Sequence, residues 1–343
     1  MPRPGRVAAH TAPPTPPRRV TALAALVLAV FLPVLAARGQ PATKTPRIGF
    51  LAQGTERQTA ANLKAFREGL RDLGYGERRN YILEVRYADG RSDRLPALAA
   101  ELVTLPVEAI VAPSTPAALA AMKATRTIPI VMVAVADPVG SGLVETLSRP
   151  AGNVTGVALA LDEVSYKWLE FLKSVRGRLA HVAVLQNSTN RSMPAMLGPL
   201  TTSAATLNVT LKLHDVTTSE AIERVFKTIA ADRPDGLVVL PDALLQGQRV
   251  KLLEHIARVR VPAIFAQRQE VLAGGLMSYG PDFSESYRRA SFYVDKLLNG
   301  VSAGDLPVER PKKFELLINM KTAKALGVTI PSALRVQADQ IIE

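Results

Sequence analysis

The sequence predicts an α/β protein whose chain folds into two doubly wound lobes, each built around a parallel β-sheet. From Arg47 onward, short apolar runs alternate with stretches of helical periodicity. This βαβ repetition requires parallel strands that are covered by helices on both faces of the sheet. A second series of the same kind follows the glycine-rich passage 152–157, so the chain contains two such units.

The first series alternates strands and helices without interruption. Its opening helix shows the pattern most clearly, because Leu63, Phe66 and Leu70 recur on one face and Gly74 follows the helix end. The predicted strands are 47–52, 81–87, 109–112 and 128–133, and the predicted helices are 56–73, 93–104 and 116–124.

The second series repeats this order. Trp168 is the one tryptophan of the chain, and it shares an apolar pattern with Leu169 and Leu172. Helical spacing of these three residues predicts a core position for the tryptophan rather than a ligand platform. The predicted helices are 164–175, 193–207, 219–231 and 244–258, and the predicted strands are 181–186, 210–214, 236–240 and 263–266.

The stretch 275–300 joins a short strand to a helix through the polar turn 279–282. Asp282 followed by Glu285 indicates a helix N-terminus, and Gly300 ends the helical pattern. A turn in this position is where open α/β proteins hold ligands, although helix capping also explains Asp282. A strand at 314–319 and a helix at 320–326 follow.

Candidate ligand-binding residues lie in the loops beyond the carboxyl ends of the strands, where helix N-termini favour anions. Ser114 or Thr115 before Pro116 is the strongest local signal, since a hydroxyl N-cap followed by proline offers donors to a carboxylate. Helix capping alone is the competing interpretation. The candidates are Gln53, Gly54, Thr55, Ser114, Thr115, Ala134, Asp137, Asn187, Asp242, Gln267 and Asp282.

The sequence contains no recognisable catalytic or nucleotide-binding motif. It has no phosphate-binding loop, no dinucleotide-binding glycine motif after the first strand and no nucleophile elbow. The 4 histidines are isolated, and there is no cysteine to share a metal ion with them. We therefore expect no catalytic residue, no metal site and no cofactor.

Residues 1–37 have the pattern of a secretory signal peptide. Arginines precede an apolar run of about 16 residues, which is shorter than the roughly 20 that span a bilayer, and the segment contains no acid. Without cysteine, neither a disulfide framework nor a lipid-modified N-terminus is available. We expect cleavage and a mature protein that is free in the periplasm and is not a lipoprotein.

The charge balance argues against a nucleic-acid partner. The net charge is +12, and removal of the signal leaves 38 basic and 30 acidic residues. Lysine and arginine are dispersed along the chain, and aromatic residues are not interleaved with them as a base-stacking surface requires. A solvated, mildly cationic surface explains the composition.

Tracts in both halves of the chain match one known pattern. The N-terminal half contains FREGL (66–70), LGY (73–75), ADPV (136–139) and GNVTG (152–156). The C-terminal half contains the stretch 275–300, LPVE (306–309), KFELLIN (313–319) and KTAKALG (321–327). From about Arg47 to its C-terminus, the chain closely resembles the ABC-transporter substrate-binding protein family that includes tryptophan and tyrosine binders.

The resemblance implies a type I periplasmic-binding-protein fold, in which two lobes joined by three crossover strands close on a small solute. It places the crossings near 156–162, 275–282 and 312–318. Lobe 1 is then expected to comprise 46–158 plus 280–312, and lobe 2 to comprise 159–279 plus 313–337. The polar turn 279–282 becomes an interlobe crossing.

The implied function is capture of a solute rather than its conversion. The protein is expected to be a monomer that binds an amino acid or small carboxylate-bearing compound and delivers it to the membrane permease and ATPase of an ABC importer. Arg57, Arg191 and Arg268 near the expected cleft mouth favour an anion. The alternatives are a soluble sensor for a membrane receptor and a secreted α/β enzyme, which requires a reactive group with a base beside it.

Overall fold

The computed structural model describes residues 45–343, which form two β-sheets covered by helices. We call the half built on the five-stranded sheet lobe 1 and the half built on the seven-stranded sheet lobe 2. The predicted signal peptide, residues 1–37, lies outside the described residues. Over the range 45–343, no helix is both long enough and apolar enough to cross a membrane.

Lobe 1 has a fully parallel sheet with the strand order β2-β1-β3-β4-β5. Its first strand is buried on both faces, since Ile48 and Phe50 pack with Phe66 on one side and Leu51 packs on the other. The elements are β1 (Arg47–Ala52), α1 (Glu56–Asp72), β2 (Ile82–Tyr87), α2 (Leu95–Thr104), β3 (Ala109–Pro113), α3 (Thr115–Ala124), β4 (Ile130–Val135) and β5 (Val154–Ala158).

Lobe 2 repeats the arrangement, and its apolar side chains also pack on both faces of the sheet. Trp168 is fully buried in one of these two cores, as its spacing predicted. The elements are α4 (Lys167–Arg176), β6 (His181–Gln186), α5 (Met193–Leu207), β7 (Thr210–Asp215), α6 (Ala221–Asp232), β8 (Gly236–Val239), α7 (Ala243–Gly247), α8 (Arg249–Val259), β9 (Ala263–Phe265), α9 (Arg268–Leu272) and β10 (Met277–Pro281).

The chain passes between the two lobes three times. The first passage leads from β5 of lobe 1 to α4 of lobe 2. The second follows β10 directly, because the next helix packs against α1 of lobe 1, and the third returns the chain to the sheet of lobe 2. The last elements are α10 (Phe283–Leu298), β11 (Phe314–Asn319), α11 (Met320–Leu326), α12 (Ser332–Gln337) and β12 (Gln340–Ile342).

The three passages are bonded to one another. The strands β10 and β11, which flank the second and third passages, pair along the whole length of β10. Arg310 Nη2 lies 2.5 Å from Asp162 Oδ1 and 3.1 Å from Glu163 Oε1, and so links the third passage to the first. Trp168 Nε1 donates a hydrogen bond of 2.7 Å to the carbonyl oxygen of Tyr279, which links α4 to β10.

The predicted fold class is confirmed, with one difference in strand direction. The sheet of lobe 2 has the order β12-β11-β10-β9-β8-β6-β7, and β10 and β11 are antiparallel while the other neighbours are parallel. The exception arises because β10 leaves lobe 2 and β11 re-enters it, so the two strands run in opposite directions. A sheet built only from βαβ units has no such pair.

The predicted helix 244–258 is two helices. Asp242 caps α7 by accepting a hydrogen bond from the main-chain N–H of Leu244, and α7 ends after one turn at Gly247. Gln248 has φ −103° and ψ 18°, so the helical path is interrupted before α8 begins at Arg249. Glycine has low helix propensity, which favours the break at this point.

Candidate functional site

The carboxyl ends of strands from both sheets meet at one cleft between the lobes. The cleft contains about 1050 Å³ of space, part of which is open to solvent. Carboxamide and hydroxyl side chains make up much of its lining.

Lobe 1 contributes the ends of β1, β3 and β4 and the first two turns of α1. Gln53 is held in place by two neighbours, because its Oε1 accepts a hydrogen bond from Ser114 Oγ at 2.9 Å and its Nε2 donates to Ser92 Oγ at 2.8 Å. The lobe 1 residues of the lining are Ala52, Gln53, Gly54, Gln58, Thr59, Ala61, Asn62, Pro113, Ser114, Thr115, Ala134 and Ala136, with Phe283 and Tyr287 from α10.

The backbone is strained at the carboxyl ends of two of these strands. Ser114 has φ +81° and Ala134 has φ +57°, both in the region that non-glycine residues rarely adopt. The side chain of Ser114 does not cap α3, since its hydroxyl donates to Gln53 instead. Strain of this kind concentrates at ligand sites, and the start of α3 keeps main-chain donors that no side chain caps.

Lobe 2 contributes a wall organised around Asp242. This carboxylate is 3% exposed, and it accepts hydrogen bonds from Asn187 Nδ2 at 3.1 Å, from Asn190 Nδ2 at 2.9 Å and from the N–H of Leu244 at 2.9 Å. Three protein donors therefore hydrogen-bond to this carboxylate. The lobe 2 residues of the lining are Leu159, Asn190, Ser192, Met196, Pro241, Asp242, Ala243, Gln246, Gly247, Arg249, Gln267 and Gln269.

Polar contacts connect the two walls across the cleft. Gln58 Nε2 donates to the carbonyl oxygen of Gly247 at 2.5 Å, and Thr115 Oγ1 lies 2.7 Å from Ser192 Oγ. The main-chain N–H of Asp137 also points to Ser192 Oγ, at 3.4 Å. Because each contact joins a residue of lobe 1 to a residue of lobe 2, the structure represents a closed arrangement of the lobes.

Gln58→Glu is expected to weaken closure without disturbing α1. A glutamate still accepts the hydrogen bond from the N–H of Thr55 that completes the capping box, but it cannot donate to the Gly247 carbonyl. Loss of a net contribution of about 1 kcal/mol predicts about a 5-fold weaker Kd for the bound solute, measured by calorimetry.

Thr55→Ala is the matched control, because it removes a cap of the same helix and leaves the Gln58 bond to Gly247 in place. It is expected to lower the stability of lobe 1 and to leave Kd nearly unchanged. Equal effects of both variants on Kd would contradict a role for Gln58 in closure.

The structure brings most of the candidate residues together. Gln53, Gly54, Ser114, Thr115, Ala134, Asp242 and Gln267 all line the cleft. The other four candidates lie outside the lining.

Each of those four residues has a local hydrogen-bonding role. Thr55 caps α1, and Asp137 accepts a hydrogen bond from the N–H of Gly140. Asn187 donates to Asp242 behind the wall of lobe 2, and Asp282 caps α10 through the N–H of Ser284.

Residues inside helices also line the cleft, although the strand-end pattern of the sequence does not indicate them. Gln58 and Asn62 lie one turn apart on α1 and line the cleft, although only the loop before this helix was a candidate. A polar pair at i, i+4 just after the first strand was the available signal. Tyr287 of α10 occupies a position whose helical spacing predicts burial in the core. Burial raises the pKa of its hydroxyl, which therefore stays protonated.

The arginines expected at the cleft mouth do not line it. Arg57 and Arg191 are exposed outside the lining, and Arg268 pairs with Glu315 at 3.2 Å and with Gln340 at 2.7 Å. The cation that does line the cleft is Arg249, the first residue of α8. The interruption of the predicted helix 244–258 explains why the sequence did not indicate this residue.

Arg249 is paired with a buried acid. Its Nε lies 3.2 Å from Oε1 of Glu270, a residue that is 8% exposed. Burial raises the pKa of Glu270, while the charge of Arg249 acts in the opposite direction. The second carboxyl oxygen of Glu270 and the amide nitrogen of Gln267 are buried without a hydrogen-bond partner among the described residues.

Glu270→Gln is expected to gain stability relative to the unaltered protein as the pH rises. Because the pKa of Glu270 is raised in the folded state, its ionisation disfavours folding; this cost is absent below the unfolded pKa and complete above the folded pKa. The Tm difference between the two proteins should therefore increase as the pH is raised above about 4.3, the ordinary pKa of glutamate. Glu254→Gln on the exposed face of α8 is the control, and a Tm difference for Glu270→Gln that does not vary with pH would contradict the prediction.

The protein has two α/β lobes, three passages between them and a polar cleft that is lined by both lobes. These features define a solute-binding protein of the type I periplasmic-binding-protein fold. The chain belongs to the family described as ABC transporter substrate binding protein, whose model matches residues 57–342. The resemblance identified from the sequence is thereby confirmed, and the protein is a binding protein and not an enzyme.

Similar proteins include a curated relative and two solved structures. A tyrosine-binding protein of Clostridioides difficile (strain R20291) is 29% identical over 272 residues, which cover 79% of this chain and 77% of the relative. A conserved domain protein from Vibrio cholerae is 27% identical with a TM-score of 0.81, over 87% of this chain and 100% of that one. A Streptococcus pneumonia ABC domain in complex with L-Trp is 23% identical, with the same TM-score and coverage, and it shares the fold.

Proposed function

We propose that the protein is the periplasmic solute-binding component of an ABC importer, and that it captures an amino acid or a small carboxylate-bearing compound between its lobes. The observation that carries this proposal is the cleft itself, whose two polar walls belong to different lobes and touch each other through Gln58 and Thr115. The tyrosine and L-Trp bound by similar proteins favour an amino acid.

Closure by the ligand is the mechanism that the geometry supports. A solute that contacts both walls has a higher affinity for the closed form than for the open form, and it shifts the population by that difference. The uncapped start of α3, with the hydroxyls of Ser114 and Thr115, supplies donors from lobe 1. Asn190, Gln246 and the wall of lobe 2 supply hydrogen-bonding groups to the opposite side of the solute.

Delivery follows from recognition of the closed form. In this proposal a membrane permease with its ATPase contacts both lobes and accepts the solute when the lobes separate. The candidate ligand-binding residues that line the cleft are the proposed contacts, and lobe 1 is proposed to comprise 46–158 plus 280–312. Residues 159–279 plus 313–337 form lobe 2 in the same proposal.

The proposed location is the periplasm, reached through cleavage of residues 1–37. The absence of cysteine is consistent with a mature protein that carries no lipid anchor. N-terminal sequencing of the protein recovered from a periplasmic fraction tests this part of the proposal. A mature chain that starts near Ala37 supports it, whereas recovery of an intact N-terminus with the membrane fraction contradicts it.

A ligand screen tests the function directly. Native mass spectrometry of the purified protein should detect a co-purified solute, and a thermal-shift screen of L-amino acids and small carboxylates should find a stabilising compound. A ligand at 100 times its Kd stabilises the folded state by about 2.7 kcal/mol, which such a screen detects easily. Failure of every class of solute, or turnover of one of them, would overturn the proposal.

A further inference from the structure

The charge of Arg249 distinguishes it from the other residues that line the cleft. Among the lining residues that the structure describes, it is the one with a positive charge, and Asp242 is the one with a negative charge. Asp242 is engaged by Asn187, Asn190 and the N–H of Leu244, and it makes no ion pair with Arg249. The cationic side chain of Arg249 is therefore available to a ligand without competition from this acid.

The guanidinium of Arg249 is fixed on one edge and free on the other. Nε donates to Glu270 Oε1 at 3.2 Å, and this is the hydrogen bond that the side chain makes within residues 45–343. A guanidinium carries five N–H donors in a planar fork, so the Nη1 and Nη2 groups remain unused. The side chain is 30% exposed and lines the cleft.

Glu270 is suited to hold this arginine in one orientation. The carboxyl group is buried, with 10% of the side chain exposed, and it lies on α9, the helix that follows the end of β9. An arginine held through Nε by a buried acid loses little further side-chain entropy when it binds a second group. The buried amide nitrogen of Gln267, which also lines the cleft, has no protein partner and adds another donor to this corner.

We propose that Arg249 binds a carboxylate of the transported solute through Nη1 and Nη2, and that Glu270 is the residue that positions Arg249. Paired, parallel N–H donors match the two oxygens of a carboxylate, which is the geometry in which arginine is most selective. The inference rests on the proposed capture function and narrows it, because it requires the solute to carry a carboxylate. Sugars and other uncharged solutes are then poor ligands for this cleft.

The test compares acids with their amides. The probes are L-tyrosine, L-tryptophan and L-glutamate, each paired with its α-carboxamide, and L-glutamine as the side-chain amide of L-glutamate. Arg249→Gln should weaken binding of the acid by about 30-fold or more and should change binding of the corresponding amide by less than about 3-fold. If binding of the α-carboxamides is insensitive to Arg249→Gln, Arg249 binds the α-carboxylate. If binding of L-glutamine is the insensitive one, Arg249 binds a side-chain carboxylate.

A second set of variants separates positioning from folding. Glu270→Gln retains an acceptor for Nε and should bind the acid within a few-fold of the unaltered protein, whereas Glu270→Ala releases the guanidinium and should reduce the preference for acid over amide. The double variant Arg249→Gln with Glu270→Gln leaves no unpaired buried charge, so it tests the loss of binding even if Arg249→Gln alone folds poorly. Arg57→Gln and Arg191→Gln, outside the lining, should bind normally.

The outcomes distinguish this inference from the proposed function. Equal acid binding by the unaltered protein and the double variant would overturn the role of Arg249 and leave solute capture intact. A cleft that binds only solutes without a carboxylate would do the same. Absence of any bound solute would overturn both, because the inference has no meaning without capture.

Discussion

Trp168→Ala is expected to destabilise the protein by about 3–5 kcal/mol, the range for truncation of a large aromatic side chain in a core. Trp168 is completely buried among the apolar residues of lobe 2, and no smaller side chain fills its volume. The change also removes the hydrogen bond of 2.7 Å to the carbonyl oxygen of Tyr279. Urea unfolding followed by circular dichroism measures the effect, since the variant contains no tryptophan to report by fluorescence.

Trp168→Phe separates the two contributions. Phenylalanine retains most of the ring packing but leaves the Tyr279 carbonyl without this donor, so a loss of about 1–3 kcal/mol is expected. If the alanine and phenylalanine variants unfold at the same urea concentration, packing at this position contributes little and the prediction is wrong.

Gly156→Ala is expected to destabilise the protein by about 2–5 kcal/mol. Gly156 lies in β5, just before the first passage between the lobes, and its φ of +133° is accessible essentially to glycine. A Cβ at this position lies 2.1 Å from the carbonyl oxygen of Met132 in the adjacent strand β4. The backbone of Met132 has to move, and the pairing of β4 with β5 is weakened.

Gly198→Ala in α5 is the matched control for this substitution. Its added methyl group meets no atom within 4 Å, and alanine has the higher helix propensity, so the variant should be more stable by about 0.5–1 kcal/mol. The two Gly→Ala substitutions should change the free energy of unfolding in opposite directions, and this difference is the measurable result. A Gly156→Ala variant as stable as the unaltered protein would show that β5 accommodates the methyl group.

The sequence predicts the strands and most helices of this fold because local pattern and tertiary environment agree in them. The helix 193–207 is observed with its predicted bounds, since its apolar spacing and its start agree with the packing it finds. The break at Gln248 was not predicted, because α7 depends on a cap by Asp242 whose carboxylate is fixed by Asn187 and Asn190 from another part of lobe 2. Such long-range contacts leave no local periodic signal.

The candidate site was predictable to the extent that it depends on topology. Residues at strand ends, such as Gln53, Ser114 and Gln267, line the cleft because parallel strands place their carboxyl ends at one edge of each sheet. The pair of Arg249 with Glu270 lies outside that rule. Its two members come from different helices, α8 and α9, and the contact between their side chains leaves no signal in the sequence of either helix.

The bonds among the three passages restrict how the lobes can move. If the linkers were independent, each would bend on its own, and the lobes would twist and slide as well as open. The ladder between β10 and β11 joins the strands next to the second and third passages, and the ion pairs of Arg310 join the third passage to the first, so we expect the linkers to deform together. We expect linkers coupled in this way to favour rotation about one axis, so that Gln58 and Gly247 return to the same contact whenever the lobes close.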